Sequence, residues 1–138
     1  MKQSMLILTI GTLLLLNSGC SKTKSDDINI SVIENQATIR FENDILDFHT
    51  INEGEKVTGS FKFRNTGKND LVISDVSANC GCTIADYPRS AVAPGDEGVI
   101  SVTYDSKGSR GMKVQKLITV LSNTNPSRNV LKIVADVK

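Results

Sequence analysis

The chain has 138 residues, a formal net charge of +1, 39% hydrophobic residues and no tryptophan. This length suits one domain, and a chain of this size can bury a core without a metal or a disulfide. The near-neutral charge and the scarcity of aromatic residues argue against nucleic acid as a partner, because phosphate contacts need a basic excess and base stacking needs aromatic rings.

The first 20 residues have the features of an export signal: Lys2, an apolar run over residues 6–16, and small residues before a cysteine. The run is too short to cross the ~30 Å hydrocarbon core of a membrane as a helix. The segment Asn17-Ser18-Gly19-Cys20 resembles the cleavage site of a bacterial lipoprotein, although Asn17 stands where an aliphatic residue is usual. We therefore expect a signal peptide at 1–19 and lipidation of Cys20, by palmitate or similar acyl chains that anchor the protein to a membrane. A plain secretory signal is the alternative.

A tether is expected to follow the lipidated cysteine, so that residues 20–36 link the anchor to a folded domain at 37–138. Ser21 to Asp27 is polar throughout. The segment 28–32 alternates apolar and polar residues, which fits either an edge strand or more tether.

Beyond the tether, apolar residues recur at every second position, and none repeat at helical spacing. Val57, Gly59, Phe61 and Phe63 are the clearest example, and this pattern predicts a strand with one buried face. Turn-forming clusters separate the β-like segments, which are 37–41, 45–51, 57–63, 70–77, 100–104, 114–120 and 131–137. The phase slips once within 70–77, which indicates a bulge. About seven short strands predict an all-β fold, an antiparallel β-sandwich of the immunoglobulin-like type.

The residues that could carry chemistry are Cys80 and Cys82, which one glycine separates. Three interpretations remain open: two small buried hydrophobic residues, a strained and easily reduced disulfide, or a site for Cu(I) or Zn(II). Gly81 can bend the backbone enough to bring the sulfurs together. A metal site would need further ligands, and His49 is the only histidine that could supply one.

Several motifs in a fixed order resemble the bacterial family called domain of unknown function 1573. They include Phe61-Lys62-Phe63-Arg64-Asn65-Thr66-Gly67, Cys80-Gly81-Cys82-Thr83, Ala93-Pro94-Gly95 and Val102-Thr103-Tyr104-Asp105. The resemblance covers the chain from about Thr38 to the C-terminus and implies an immunoglobulin-like fold similar to Hydin-type domains. It also implies an exported protein of the Bacteroidetes lipoprotein type, and it implies no activity. His49 departs from the family pattern, which usually has glycine after Asp-Phe.

These observations together predict an outer-membrane lipoprotein of the cell envelope, facing either the periplasm or the surface. Its domain would bind or scaffold an envelope protein without catalysing a reaction and without a cofactor. The alternative function is a thiol site at Cys80 and Cys82 that binds copper or another soft metal, or that exchanges disulfides.

Overall fold

The alternating apolar pattern forms strands throughout the part of the chain that the computed structural model describes, which is residues 36–81 and 83–138. The signal peptide, Cys20, all but the last residue of the predicted tether, and Cys82 lie outside the described residues. The strands are β1 (Ile39–Phe41), β2 (Ile45–Ile51), β3 (Lys56–Asn65), β4 (Ile73–Ala78), β5 (Thr83–Asp86), β6 (Glu97–Asp105), β7 (Lys113–Ser122) and β8 (Arg128–Val137). Among these residues, no helix is both long enough and apolar enough to cross a membrane.

Two four-stranded sheets pack face to face and confirm the predicted all-β sandwich. The first sheet has the order β1-β3-β6-β5, and the second has the order β2-β8-β7-β4. The predicted bulge is also present, between Ile73 and Asp75 in β4.

The structure refines the predicted antiparallel sandwich of about seven strands in two details. The chain crosses between the sheets at Glu42–Asp44, so β1 pairs with β3 while β2 pairs with β8 in a parallel arrangement. In addition, residues 83–86 form the eighth strand, β5, which pairs with β6. Four residues are too few for a periodicity to be read, which is why the sequence did not predict this strand.

The core lies between the inner faces of the two sheets, where the alternating residues of the long strands meet. The largest fully buried apolar side chains are Tyr104, Phe61, Phe63, Leu71, Ile100, Ile118, Leu131 and Ile133. Each such side chain contributes about 1.5–3 kcal/mol by leaving water. Gly98 on β6 lies opposite Phe63, and a Cβ at this glycine would overlap the phenylalanine ring. The glycine therefore makes the room that the ring occupies.

A buried polar residue, Asn65, joins three separate parts of the chain at the end of β3. Its side-chain carbonyl accepts hydrogen bonds from the backbone N–H groups of Gly67 (3.0 Å) and Thr38 (3.4 Å). Its amide group donates to the carbonyl oxygens of Asn69 (2.8 Å) and Val92 (2.9 Å). The side chain is fully buried, and all four of its usual bonding positions are used.

The two ends of the sandwich differ in which loops they carry. At the entry end, where the described chain begins, Lys68 of the β3–β4 loop donates its backbone N–H to the carbonyl of Gln36. At the far end, the β2–β3 turn meets the β6–β7 loop, and the Ser106 N–H donates to the carbonyl of Glu55. The nine residues of β6 separate these ends by about 30 Å.

Candidate functional site

The candidate site is the turn that carries Cys80, here called the cysteine turn and comprising residues 79–81. It connects β4, an edge strand of the second sheet, to β5, an edge strand of the first sheet. Thr83, the first residue of β5, pairs with Tyr104 near the C-terminal end of β6, so the turn lies towards the far end of the sandwich. The chain therefore changes sheets at the cysteine turn.

Asn79 fixes the start of the turn against β7. Its backbone N–H donates to the carbonyl of Leu117 (3.2 Å), and its side-chain oxygen accepts from the Leu117 N–H (3.3 Å). Gly81 follows with open space around the position that a Cβ would occupy. The turn is thus anchored on its β4 side and uncrowded at the glycine.

Cys80 is disulfide-bonded and partly exposed. Its Sγ lies 3.7 Å from Oγ1 of Thr83, so the sulfur contacts the strand that follows the turn. Because Cys82 lies outside the described residues, its pairing with Cys80 stays a prediction.

A second contact holds the edges of the two sheets together at the other end of β4 and β5, away from the cysteine turn. The Tyr87 hydroxyl donates to the carbonyl of Ser74 on β4 (3.2 Å). The Arg89 guanidinium lies 3.9 Å from the centre of the Tyr87 ring and donates to its hydroxyl (2.6 Å). The seam between β4 and β5 therefore has a tyrosine contact in addition to the covalent turn.

His49, the predicted additional metal ligand, is not brought near Cys80. It lies on β2, whereas Cys80 follows β4 at the opposite edge of the same sheet, about 14 Å away across three strand spacings. His49 has a backbone φ of 56°, and its Nδ1 lies 3.4 Å from a carboxylate oxygen of Asp47. Within residues 36–81 and 83–138, no three His, Cys, Asp or Glu side chains are grouped closely enough to hold a metal.

A depression of about 300 Å³ lies beside β1, β3 and β6 at the entry end, and Arg40, Arg64 and Glu97 are among its lining residues. Arg64 forms an ion pair with Glu97. The hydrogen bond and the charge of Arg64 lower the pKa of the Glu97 carboxyl, and the same contact raises the pKa of Arg64. Both side chains are exposed, so water weakens the stabilising effect of this pair.

The matches to known proteins agree with this architecture. The sequence profile of DUF1573, described as a protein of unknown function, matches residues 39–137. The chain belongs to this family. Among curated proteins, no match to the chain was found.

Solved structures of similar fold include a bacterial protein of unknown function and a PapD-like domain. A protein of unknown function from Porphyromonas gingivalis W83 is 18% identical, with a TM-score of 0.67 over 78% of this chain and 51% of that protein. The ASH/PapD-like domain 7 of human CEP192 is 14% identical, with a TM-score of 0.59 over 76% and 87% of the two chains. At these identities the likeness shows the fold alone.

Two further matches come from proteins with different roles. The pre-assembly complex of the CsuC chaperone with the CsuE tip adhesion subunit, from Acinetobacter baumannii, has a matching chain at 17% identity and a TM-score of 0.53, with coverage of 74% and 58%. The VesB protease of Vibrio cholerae matches at 16% identity and a TM-score of 0.58, with coverage of 78% and 34%. This chain therefore spans about half of the P. gingivalis protein and about a third of VesB.

Proposed function

We propose that this protein is an exported lipoprotein of the outer membrane, whose domain binds or scaffolds another envelope protein without catalysing a reaction. The observation that carries the proposal is the PapD-like sandwich with two edge strands, β4 and β5, side by side. A chain of similar fold occurs in a complex of a chaperone with an adhesion subunit. The signal sequence and Cys20 support the envelope location.

The backbone of β4 supplies a place for such a partner. Since the Asn79 N–H points towards Leu117 of β7, the alternating peptide groups of Val76 and Ala78 point away from β7, towards the edge of the sheet. Among the described residues, no backbone group pairs with them. Edge peptide groups of this kind accept an added strand from another polypeptide.

Replacement of Ala78 by proline tests this binding mode. Proline is tolerated on an edge strand where the lost N–H faces outwards, so Ala78→Pro should fold and should recover much less partner after crosslinking in cells. Ala78→Ser keeps the N–H and is the matched control. Equal recovery of the same proteins by both variants would contradict binding at this edge, and the absence of any reproducible partner would contradict the binding function itself.

Replacement of Cys20 tests the anchor separately. Cys20→Ser should move the protein from the membrane fraction to the soluble fraction, whereas Ser21→Ala should leave it in the membrane. Retention of Cys20→Ser in the membrane would count against lipidation.

A second function, disulfide exchange, is favoured by the disulfide-bonded and partly exposed Cys80. In this reaction a thiolate of the substrate attacks one sulfur and forms a mixed disulfide with it, while the protein's S–S bond breaks and the other sulfur leaves as a thiolate that takes up a proton. The second thiolate of the substrate then attacks the mixed disulfide, which leaves the substrate oxidised and both protein sulfurs reduced. The pairing of Cys80 with Cys82 is the arrangement proposed for it. If the protein oxidises a dithiol peptide stoichiometrically and the variant Cys80→Ser with Cys82→Ser does not, this function gains support. If the wild-type protein leaves such a peptide reduced, the exchange function fails.

A further inference from the structure

The depression beside β1, β3 and β6 is lined by four charged side chains, of which only two are paired with each other. Arg64 on β3 and Glu97 on β6 form the ion pair described above. Arg40 and Glu42 line the same depression and are exposed, and neither forms an ion pair within residues 36–81 and 83–138. The depression therefore offers a ligand one positive and one negative side chain.

Arg40 and Glu42 stand on one face of the first sheet, in a defined order from the entry end. Arg40 pairs with Arg64 in the register of β1 and β3. The Glu42 N–H donates to the carbonyl of Lys62 (3.0 Å), which continues this ladder by one step beyond β1. Residues two apart in a strand project from the same face and stand about 6.6 Å apart. Since β1 runs away from the entry end, Arg40 lies nearer to that end than Glu42 does.

The neighbours of Arg40 favour an anion at its side chain. Arg64 stands directly opposite, and like charges at opposite positions destabilise a strand pair, an effect that an anion bound between them removes. Thr66 also lines the depression and adds a hydroxyl on the entry side of Arg64. Glu97 is bound to Arg64 and lies two strand spacings from β1, about 10 Å away. Two guanidinium groups and a hydroxyl are donors that suit the several oxygens of a phosphate group.

Glu42 gives the other side of the depression the opposite preference. The pKa of Arg64 is raised mainly by its hydrogen bond to Glu97, and the charge of Glu42 raises it further, so this carboxylate acts across the depression. Lys62 stands opposite Glu42, but no ion pair joins these two described residues, and Lys62 does not line the depression. The carboxylate therefore suits an ammonium group, which has three donors.

A ligand for this depression must carry both charges. A simple anion would meet Glu42, and a simple cation would meet Arg40. An α-amino acid carries its charges on one carbon, too close together to span residues about 6.6 Å apart. We propose that the depression binds a phosphoethanolamine group, with its phosphate at Arg40 and Thr66 and its ammonium at Glu42. Two carbon atoms separate the charges of this group and give it the necessary reach.

A phosphatidylethanolamine lipid presents this group in a matching order. Its phosphate is joined to the glycerol and the hydrocarbon chains, whereas its ammonium is the free end of the head group. Arg40, on the side of the entry end, meets the phosphate, and Glu42, farther from that end, meets the free ammonium. This match rests on the proposed lipid anchor at Cys20, which attaches the domain to the membrane by its entry end. The anchor also raises the effective concentration of head groups at a water-exposed site.

Carbodiimide coupling of the full chain in vesicles tests the proposal, because this reagent joins a carboxylate to an amine that lies against it. In vesicles that contain phosphatidylethanolamine, the lipid amine should couple to Glu42 about tenfold more than to Asp44, an exposed carboxylate two residues away. Fragmentation mass spectrometry of the peptide locates the product. Vesicles of phosphatidylcholine, which has no coupling amine, give the blank.

Two variants separate the site from a general attraction to surface charge. Arg40→Gln should lower the coupling at Glu42 about fivefold, because the phosphate loses its bidentate donor. Lys62→Gln removes the same charge from the same face outside the depression, and it should leave the coupling no lower. Equal losses in the two variants would overturn the site. Coupling at Glu42 no greater than at Asp44, with both the lipid and the dissolved head group, would also overturn it.

Dissolved phosphoethanolamine, added to the full chain in phosphatidylcholine vesicles, distinguishes the two sources of the group. Coupling at Glu42 by the dissolved compound and not by the lipid would keep the site and exclude the membrane as its source. The charge exchange Arg40→Glu with Glu42→Arg reverses the order of the two signs. Its new carboxylate should couple to the dissolved compound, which can turn round, and should couple to the lipid no more than Asp44 does.

These outcomes are distinguishable from failure of the proposed function. If Glu42 fails to couple while Ala78→Pro still loses the partner and Cys20→Ser still leaves the membrane, the phosphoethanolamine site alone is wrong.

Discussion

The side-chain amide of Asn65 donates a hydrogen bond of 2.9 Å to the carbonyl oxygen of Val92, 27 residues away in the chain. Asn65 closes β3, and Val92 forms an isolated bridge with Leu71 in the loop before β4. This single contact therefore ties the segment before β6 to the β3–β4 connection.

Replacement of Asn65 by alanine should destabilise the domain by about 2–4 kcal/mol, because it removes four hydrogen bonds to buried or partly buried backbone groups. Urea unfolding of the wild type and Asn65→Ala measures the loss. Asn43→Ala, at an exposed position between β1 and β2, is the control and should change stability by less than about 0.5 kcal/mol. Equal stability of the two variants would show that the buried amide is not important for folding.

His49→Gly should stabilise the domain by about 0.5–1 kcal/mol. His49 has a φ of 56°, which costs a residue with a Cβ about 1–2 kcal/mol and costs glycine little. The greater freedom of glycine in the unfolded chain offsets part of the gain. Thr50→Gly, at the next residue and without a positive φ, should lower stability instead. A loss of thermal stability in His49→Gly would contradict the interpretation that the positive φ of His49 is strained.

The ion pair of Arg64 and Glu97 should make part of the stability depend on pH. The lowered pKa of Glu97 means that its contribution is fully present above the unfolded-state value of about 4.5 and is lost as the pH falls through the folded value. Unfolding midpoints between pH 7 and pH 2.5 should therefore fall less in Glu97→Gln than in the wild type. Arg64→Gln should have the same effect, and the double variant should add nothing further. Additive effects would show that the two side chains act independently.

Tyr87→Phe should loosen the seam between β4 and β5. It removes the hydrogen bond to the carbonyl of Ser74 and the hydroxyl that Arg89 contacts, at a cost of about 1 kcal/mol. The substitution should speed up hydrogen exchange more in β4 and β5 than in β8. Tyr104→Phe, which removes the bond to Ser109 at the far end, is the control and should leave exchange in β4 unchanged. A uniform change along the whole chain would argue against a local effect.

Much of the fold followed from the alternation of apolar residues, because each long strand buries one face over seven to ten residues. The parallel pairing of β2 with β8 did not follow, since it depends on the change of sheet at Glu42–Asp44, and a turn cluster does not reveal where the next strand pairs. Asn65 lies in a run of turn-forming residues, and its burial depends on contacts with Thr38 and Val92, each 27 residues away.

The candidate site was predicted in part. The sequence singled out Cys80, and the structure shows it in a disulfide at the change between sheets. His49 departs from the family pattern, which usually has glycine there, and its positive φ explains why glycine suits that position.

The entry end and the cysteine turn lie towards opposite ends of the sandwich, so an anchor at one end leaves the other end away from it. With a lipid on Cys20, the domain would be attached to the membrane at its entry end, where the described chain begins at Gln36. The partly exposed Cys80 would then lie at the end of the domain that is farther from the point of attachment.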